Sequence, residues 1–306
     1  MRGIAQRIVI SNVVDDKFSL AIMPDTQREI KSSTDTRFNH RINWLVANKS
    51  RLRLRYVLQV GDLTDWGERD ENHYIRASAG LDILDNADIC YALCPGNHDT
   101  QAVAVGGGAY DTTRTRELVR ETPLWNTYFP PTRFPMMRGT FEPNKSDNAY
   151  HTFQAGGQLW LILNLEFMPR FNAVTWARAV VENHPNHNII LLTHMFLDGG
   201  GNLSTNAEYG ESSPQYVFDN LVKLYPNFRF VFGGHIPSWS QRELTGVNGN
   251  KIYAYNDCWH HADNNPVRLV EFSMSENKFD TYVYMPITSV VEPGTSSTKT
   301  NVVWAA

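Results

Sequence analysis

The stretch YVLQVGD, residues 56–62, is an apolar run that ends in a glycine and an aspartate. Its valine, leucine and tyrosine content is typical of a buried strand, and Gly61 and Asp62 stop the run. Five other short apolar runs end in the same way, in polar or glycine-rich residues. They are SLAIMPD (19–25), ICYALCPGN (89–97), LWLILNLE (159–166), NIILLTH (188–194) and FRFVFGGH (228–235). We interpret all six runs as core strands.

Segments with helical spacing separate several of these runs. The clearest is residues 34–50, and residues 173–184 and 213–226 have similar patterns. Strands that alternate with helices predict an α/β domain, in which ligands bind outside the carboxyl ends of the strands. We therefore expect the polar residues that end the six runs at one edge. They are Asp25, Asp62, Asn97, Glu166, His194 and His235.

The remaining segments are less regular. Residues 100–148 lack sustained periodicity, and we interpret them as an insertion that folds over the strand ends. Residues 198–212 are a polar, glycine-rich stretch of the kind found in lids and binding loops. From residue 251 onward, three alternating runs predict hairpin strands of a second sheet. We predict one domain over residues 1–288 and a tail over residues 289–306 that is either extended or poorly packed.

Composition narrows the classes of partner. The chain has 306 residues and a net charge of -4, so nothing predicts a general attraction for nucleic acid, which is an unfavoured partner. The one basic cluster, RLRLRY (51–56), alternates arginine with leucine. We interpret it as the start of a strand whose arginines are solvated.

Cysteine usage and hydropathy bear on the compartment. Cys90, Cys94 and Cys258 form no disulfide framework, which favours a reducing environment. No stretch approaches the ~20 apolar residues of a membrane span. The first residues carry no recognisable export signal. We expect a soluble protein that is cytoplasmic in preference to secreted or virion-associated.

Five short motifs occur in an order that resembles one enzyme superfamily. They are PDTQ (24–27), GDLTD (61–65), GNHD (96–99), TH (193–194) and GGH (233–235). Together they resemble the calcineurin-like metallophosphoesterases, and PDTQ resembles a bacterial and phage-associated branch. The resemblance implies a four-layer α/β/β/α sandwich of two mixed sheets. It also implies two divalent metal ions at the sheet edge and hydrolysis of a phosphoester by a metal-activated hydroxide.

The resemblance assigns metal ligands residue by residue. Asp62 matches the ligand that bridges the two metals. Asn97, His194 and His235 match the ligands that complete the second site, and Asp25 matches the first carboxylate of the first site. Oxygen and nitrogen ligands of these kinds suit Zn, Mn or Fe. On this assignment the three cysteines are not needed.

The same resemblance points to catalytic side chains. His98 matches the residue that contacts the phosphate or protonates the leaving oxygen, a role that suits a pKa near neutrality. Asp99 is expected to orient His98 and to favour its charged form. Asp65 is interpreted as a residue that stabilises its loop rather than binds metal. Glu166 is either a crevice-facing residue or a carboxylate that positions its loop.

Two positions depart from the family pattern. Gln27 and Pro237 stand where the family usually has histidines, and both departures fall on the first metal site. Gln27 is then a weak neutral ligand or a hydrogen-bond donor to a ligand. The first site is left with three possibilities: a harder metal such as Mn or Mg, a replacement ligand from YNDCWHH (255–261), or no metal. The candidate replacement ligands are Asp257, His260 and His261.

These observations predict a metal-dependent phosphoesterase. We expect a phosphodiester substrate, because the insertion and the glycine-rich loop would enclose something larger than phosphate. One alternative is a degenerate member of the family that acts as a binding or structural module, for example in a virion or on a surface. Another alternative is a nuclease of the same fold.

Overall fold

The computed structural model describes residues 16–305, so the expectation about an export signal falls on residues outside the described range. The strands are β1 (Lys17–Met23), β2 (Leu54–Gln59), β3 (Tyr91–Leu93), β4 (Met137–Thr140), β5 (Ala149–Ala155), β6 (Gln158–Leu165), β7 (His187–Thr193), β8 (Phe228–Gly233), β9 (Ser238–Thr245), β10 (Lys251–Cys258), β11 (Val267–Ser273), β12 (Lys278–Met285), β13 (Val290–Val291) and β14 (Ser297–Lys299). The α-helices are α1 (Gln27–Ile30), α2 (Arg37–Leu52), α3 (Asn72–Asn86), α4 (Thr115–Leu118), α5 (Pro123–Tyr128), α6 (Phe171–Glu182) and α7 (Pro214–Asn220). Short 3₁₀ helices cover Gly67–Arg69, Asn97–Asp99, Pro131–Arg133 and Val222–Leu224.

The strands form two mixed sheets. The first has the order β13-β12-β11-β1-β2-β3, with β14 also paired to β12, and the second has the order β4-β5-β6-β7-β8-β10-β9. Parallel pairing joins β1 to β2 and β2 to β3 in the first sheet. In the second sheet, parallel pairing runs from β6 through β7 and β8 to β10. All six strands predicted from the apolar runs are present.

Alternation along β1 shows how the layers are built. Leu20 and Ile22 lie in the apolar cluster between the sheets, whereas Ala21 and Met23 lie in the cluster beneath the helices. Successive side chains of a strand point to opposite faces, so a strand covered on both faces is apolar throughout. Helices α2 and α3 cover the first sheet, and α6 and α7 cover the second. The predicted α/β/β/α sandwich is confirmed.

The C-terminal third differs from the expectation of hairpins in one second sheet. The hairpin of β9 and β10 adds to the second sheet, whereas β11 and β12 add to the first sheet beside β1. Of the two alternatives for the tail, an extended conformation agrees with the structure and poor packing does not. Strands β13 and β14 pair with β12, and Val302 and Trp304 pack into the cluster between the sheets.

The segment 100–148 divides into two parts. Its first part lies beside the strand ends: a Cβ added at Gly107 would lie 3.8 Å from Cε1 of His98. Its second part packs on the helix layer of the first sheet. There Trp125 is buried, and the backbone N–H of Trp125 donates to the carboxylate of Glu68 (3.0 Å). The expectation that all of this segment folds over the strand ends is wrong for its second part.

The exposure of the arginines around the start of β2 agrees with the sequence pattern. Arg51, Arg53 and Arg55 are exposed, as the alternation with leucine predicts. Among residues 16–305, no helix combines the length and the apolar character that crossing a bilayer requires.

A buried ion pair joins the two sheets near the site. Arg268 on β11 donates to Asp257 on β10 through Nε (2.7 Å) and Nη2 (3.0 Å). Both side chains are almost completely buried. Asp257 was a candidate replacement ligand, but both of its oxygens accept hydrogen bonds from Arg268. It therefore serves as a tie between sheets.

We expect Arg268→Met to lower the free energy of unfolding by about 3–5 kcal/mol, because it leaves the Asp257 carboxylate buried without a cation. Urea denaturation followed by circular dichroism measures the change. The double variant Arg268→Met with Asp257→Asn is the matched control, and its loss should be smaller. A double variant that is at least as unstable as the single variant would contradict this account.

Candidate metal centre

Five of the six predicted strand endings meet where the carboxyl edges of the two sheets adjoin. Asp25, Asp62 and Asn97 follow β1, β2 and β3, and His194 and His235 follow β7 and β8. Their side chains form direct contacts across the two sheets, which are described next. The strand-end rule therefore placed these residues correctly.

Asp62 is the centre of these contacts. Its Oδ1 accepts a hydrogen bond from the backbone N–H of His98 (3.0 Å) and lies 3.1 Å from Nε2 of His194. Its Oδ2 accepts a hydrogen bond from Nε2 of Gln27 (3.2 Å). Burial alone would raise the pKa of Asp62, but the neighbouring imidazoles of His194 and His98 hold it below its usual range. Asp62 is therefore a buried carboxylate that stays ionised.

Two histidines face Asp62 and its neighbours. His194 is buried, and its Nδ1 donates to the carbonyl of Val60 (2.8 Å), which leaves Nε2 toward Asp62. Burial opposes a charge on His194, but Asp62 raises the pKa of this histidine to about 9. The Nδ1 of His235 lies 3.1 Å from Oδ1 of Asn97. Histidines that bind metals usually donate from their other ring nitrogen to a carbonyl or carboxylate, as Nδ1 of His194 does here.

A second group forms around Asp25. Asp25 is fully buried, and its Oδ2 accepts a hydrogen bond from the backbone N–H of His235 (3.0 Å). Burial, together with the nearby carboxylate of Asp62, raises the pKa of Asp25 to about 7. Beyond it lie Cys258 and His260, with Sγ of the cysteine 3.0 Å from Nδ1 of the histidine. The ligand assignment from the sequence needed no cysteine, yet the structure places Cys258 beside the candidate ligands.

Potential metal-ligating atoms thus cluster in two places. Atoms of Asp62, His194 and His235 lie within 4.8 Å of one another, and so do atoms of Asp25, Cys258 and His260. These two groups are a candidate pair of metal sites.

The unpartnered atoms at this edge fit bound cations. Oδ1 of Asp25 and Oε1 of Gln27 are buried and accept no hydrogen bond. A buried polar atom without a partner costs free energy, and a cation in contact with these atoms would remove that cost. The donor set of carboxylates, imidazoles, an amide and a thiol is the set that divalent transition metals bind.

Two glycines allow the ligands to approach each other so closely. A Cβ at Gly96 would overlap Oδ1 and the backbone nitrogen of Asp62. A Cβ at Gly234 would overlap Oδ1 of Asp25. Each glycine immediately precedes a ligand of one strand end and touches a ligand of another. The glycines of GNHD and GGH are thus required by packing between ligands.

The roles expected of two aspartates are exchanged. Asp99 does not contact the ring of His98: its carboxylate accepts from the backbone N–H groups of Leu63 (3.1 Å), Thr64 (2.7 Å) and Gly96 (2.9 Å). The expectation that Asp99 orients His98 is wrong, because these donors occupy its oxygens. Asp99 instead fixes the loop after β2 to the loop after β3.

Asp65 takes the role of orienting His98. The Nδ1 of His98 lies 2.6 Å from the carbonyl of Asp65 and 2.9 Å from its Oδ1. Burial lowers the pKa of His98, but the charges of Asp62 and Asp65 raise it to about 10. The imidazole is thus held protonated in the described structure. The ion pair of Asp65 with Lys31 (2.9 Å) holds the carboxylate in turn.

Two other predicted residues lie outside the ligand groups. Glu166 accepts from Nε of Arg170 (2.8 Å) and lies 3.5 Å from Nη1 of Arg120, so it positions its loop. His261 is exposed, and its ring lies against that of His260 at 4.1 Å between centroids, tilted by 48°. Of the two adjacent histidines, only His260 belongs to a ligand group.

Sequence reasoning missed Glu208. This residue lies in the glycine-rich stretch 198–212, and its Oε2 is 3.3 Å from Nε2 of His235. The stretch is held beside the site by Arg116, which donates to the carbonyl of Gly210 (3.1 Å). No motif marks Glu208, and the only signal was the position of the loop directly after His194.

Ligand groups of this chemistry, paired at one sheet edge, are typical of two-metal hydrolases. Within that class, the chain belongs to the calcineurin-like phosphoesterase family, whose sequence model (Metallophos) matches residues 19–238. The family membership expected from the motifs is confirmed.

Similar structures agree on the fold. A dimetal phosphatase from Danio rerio has a TM-score of 0.56 at 12% identity, over 92% of this chain and 98% of its own. GAP50, the anchor in the inner membrane complex of Plasmodium, has a TM-score of 0.52 at 10% identity, over 93% and 88%. At such low identity these likenesses show the fold alone.

A curated relative is similar in sequence. The uncharacterized protein YvnB of Bacillus subtilis (strain 168) is 26% identical over 226 residues, which are 73% of this chain. The chain spans 16% of the length of that relative.

We expect Gly96→Ala to reduce phosphoester hydrolysis by about 100-fold, because the added methyl group must displace Asp62. Gly108→Ala is the matched control, since a Cβ there meets no atom within 4 Å. Rates and metal content of the two variants are compared with wild type. Equal rates for the two variants would show that the close approach to Asp62 is unimportant.

Proposed function

We propose that the protein is a metal-dependent phosphoesterase that hydrolyses phosphodiesters. The observation that carries the proposal is the pair of candidate ligand groups at one sheet edge, beside which Oδ1 of Asp25 and Oε1 of Gln27 are buried without a hydrogen-bond partner. Family membership supports metal-dependent hydrolysis of a phosphoester as the reaction class. The choice of a diester is our own inference from the charges around the site.

Asp62, Asn97, His194 and His235 would hold one cation, and Asp25 would hold the other, with Asp62 shared. Bound divalent cations neutralise phosphoryl oxygens and lower the pKa of water. Asp62 is suited to sharing because its two oxygens face different neighbours, His194 and Gln27. Gln27 donates its N–H to Asp62, which is the supporting role that the sequence left open for it.

His98 acts on the substrate side of the site. Asp65 holds its Nδ1, so Nε2 is the ring nitrogen that meets the substrate. A protonated imidazole contacts the phosphate and gives its proton to the leaving oxygen. Lys31 and Asp65 keep this imidazole in one orientation.

The charge of Glu208 supports a diester. Its carboxylate is partly exposed and lies 3.3 Å from Nε2 of His235, so it would be close to a phosphoryl group bound at the second ligand group. A phosphomonoester carries about two negative charges at neutral pH and a phosphodiester carries one. Repulsion by Glu208 therefore disfavours the monoester more than the diester.

A binding role is the second candidate, and the fold supports it. The same sandwich occurs in a dimetal phosphatase and in GAP50, the anchor in the inner membrane complex of Plasmodium. A protein of this fold that lacks two family histidines, at Gln27 and Pro237, could retain a ligand without hydrolysing it. Catalysis by the metal-loaded protein decides between the two roles.

We expect the Mn²⁺-loaded protein to hydrolyse bis-p-nitrophenyl phosphate faster than p-nitrophenyl phosphate. Asp62→Asn should remove both activities and bound metal, because the neutral amide cannot balance two cations. Glu208→Gln should raise the monoester rate relative to the diester rate by several-fold. A wild type that binds metal and hydrolyses neither compound would favour the binding role. An unchanged ratio in Glu208→Gln would remove the argument for a diester.

We expect His98→Gln to lower kcat by about 100-fold or more while metal content stays unchanged, since its ring transfers a proton and binds no metal. Asp65→Asn should cause a smaller loss, because an amide oxygen still accepts from Nδ1. His184→Gln, a change at a histidine outside the site, is the control. Loss of metal in His98→Gln would contradict this division of roles.

A further inference from the structure

The first ligand group lacks the two histidines that the family usually supplies, and a neighbouring strand end fills the space. Strand β10 runs parallel to β8, with Asn256 opposite Gly233. Cys258, two residues further along β10, therefore emerges at the same edge as His235. It is a sixth strand ending at the site, in addition to the five predicted endings that meet there.

The side chains that reach this space have the chemistry of metal ligands. Ligand atoms of Asp25, Cys258 and His260 lie within 4.8 Å of one another. On a tetrahedral ion, with bonds of about 2.0–2.3 Å, ligand atoms lie about 3.5 Å apart, so small side-chain movements suffice. Cys258 is 3% exposed and Asp25 is fully buried. Oδ1 of Asp25 has no hydrogen-bond partner.

The surroundings fix Cys258 in place. Asp257, the residue before it, is held by both hydrogen bonds of Arg268. His260, two residues after it, places Nδ1 against the sulfur. Gln27 and Pro237 supply no imidazole or thiolate here: Gln27 offers only the neutral amide oxygen Oε1, which is a weak ligand, and proline has no ligand atom in its side chain.

We propose that Cys258 and His260 replace the missing family histidines, so that the first site is a thiolate-containing metal site formed with Asp25. The proposal rests on the proposed function only in requiring a metal centre at this edge. Binding of the cation releases the thiol proton to solvent, because the thiolate is the ligand. Thiolate and imidazole select Zn²⁺ or Fe²⁺ over the harder Mg²⁺ and Mn²⁺. This preference for Zn²⁺ or Fe²⁺ differs from the harder metal, Mn or Mg, that the loss of the two histidines alone suggested.

Cobalt(II) is the probe, because a thiolate bound to it gives a near-ultraviolet charge-transfer absorption that carboxylate and imidazole ligands do not give. The full chain is stripped of metal with a chelator and titrated with Co²⁺. We expect about two equivalents of bound cobalt and a charge-transfer band. Cobalt content is measured by elemental analysis, and neither readout depends on hydrolysis.

Substitutions assign the band. Cys258→Ser should lose the band and about one of the two cobalt equivalents. Cys258→Asp should regain the lost equivalent without the band, and should shift the preference of this site from Zn²⁺ toward Mn²⁺. Cys90→Ser is the matched control, because Cys90 is a partly buried thiol just before β3, at the opposite end of the strand from the site. His260→Gln is compared with His261→Gln, and only the first should weaken cobalt binding.

The outcomes separate this proposal from the proposed function. Two bound equivalents without a band in wild type, or a band that persists in Cys258→Ser, would overturn the thiolate ligand and leave the phosphoesterase intact. Wild type that binds no cobalt would overturn both. Hydrolysis of a diester together with the band, lost in Cys258→Ser, would establish the first site as described. Circular dichroism of each variant verifies that the sandwich is folded.

Discussion

The site depends on burying two carboxylates, those of Asp25 and Asp62, next to each other where the two sheets meet. Asp25 and Asp62 are both buried, and two anions so close in an apolar sandwich are unstable unless positive groups compensate them. His194 and the backbone N–H of His235 supply part of that compensation, and the proposed cations would supply the rest. Gly96 lies against Asp62 and Gly234 lies against Asp25 for the same reason, because compensation of a buried carboxylate charge is effective only at short range.

Much of the sandwich and half of the site could be predicted from local patterns. A buried strand is recognisable by its apolar run, and parallel strands deliver their last residues to one edge, so Asp62 and His194 were predictable from strand endings alone. The exchange between Asp65 and Asp99 was not predictable in this way. Which carboxylate meets His98 depends on which backbone N–H groups the folded loops present, and that is known only once both loops are in place.

Other features were missed because they depend on pairing between distant segments. Cys258 reaches Asp25 because β10 pairs with β8. The alternating sequence of β10 predicts a strand but does not reveal which other strand it pairs with. Glu208 reaches His235 because hydrogen bonds to distant segments, such as that of Arg116 to Gly210, hold the loop that carries it. Trp304 was missed for a different reason: a tail rich in serine and threonine can still pack a single aromatic ring between two sheets.

The pairing of β1 sets the order in which the molecule can be completed during synthesis. β1 lies between β2 and β11, with Lys17 opposite Ser273, so one edge of this central strand has no partner until most of the chain has been made. An unpaired central strand invites association with other chains, and non-local pairing is slow. During synthesis, the unpaired backbone groups on this edge of β1 therefore stay exposed until β11 has been made. We expect the ribosome-bound intermediate to be prone to aggregation and to benefit from chaperones.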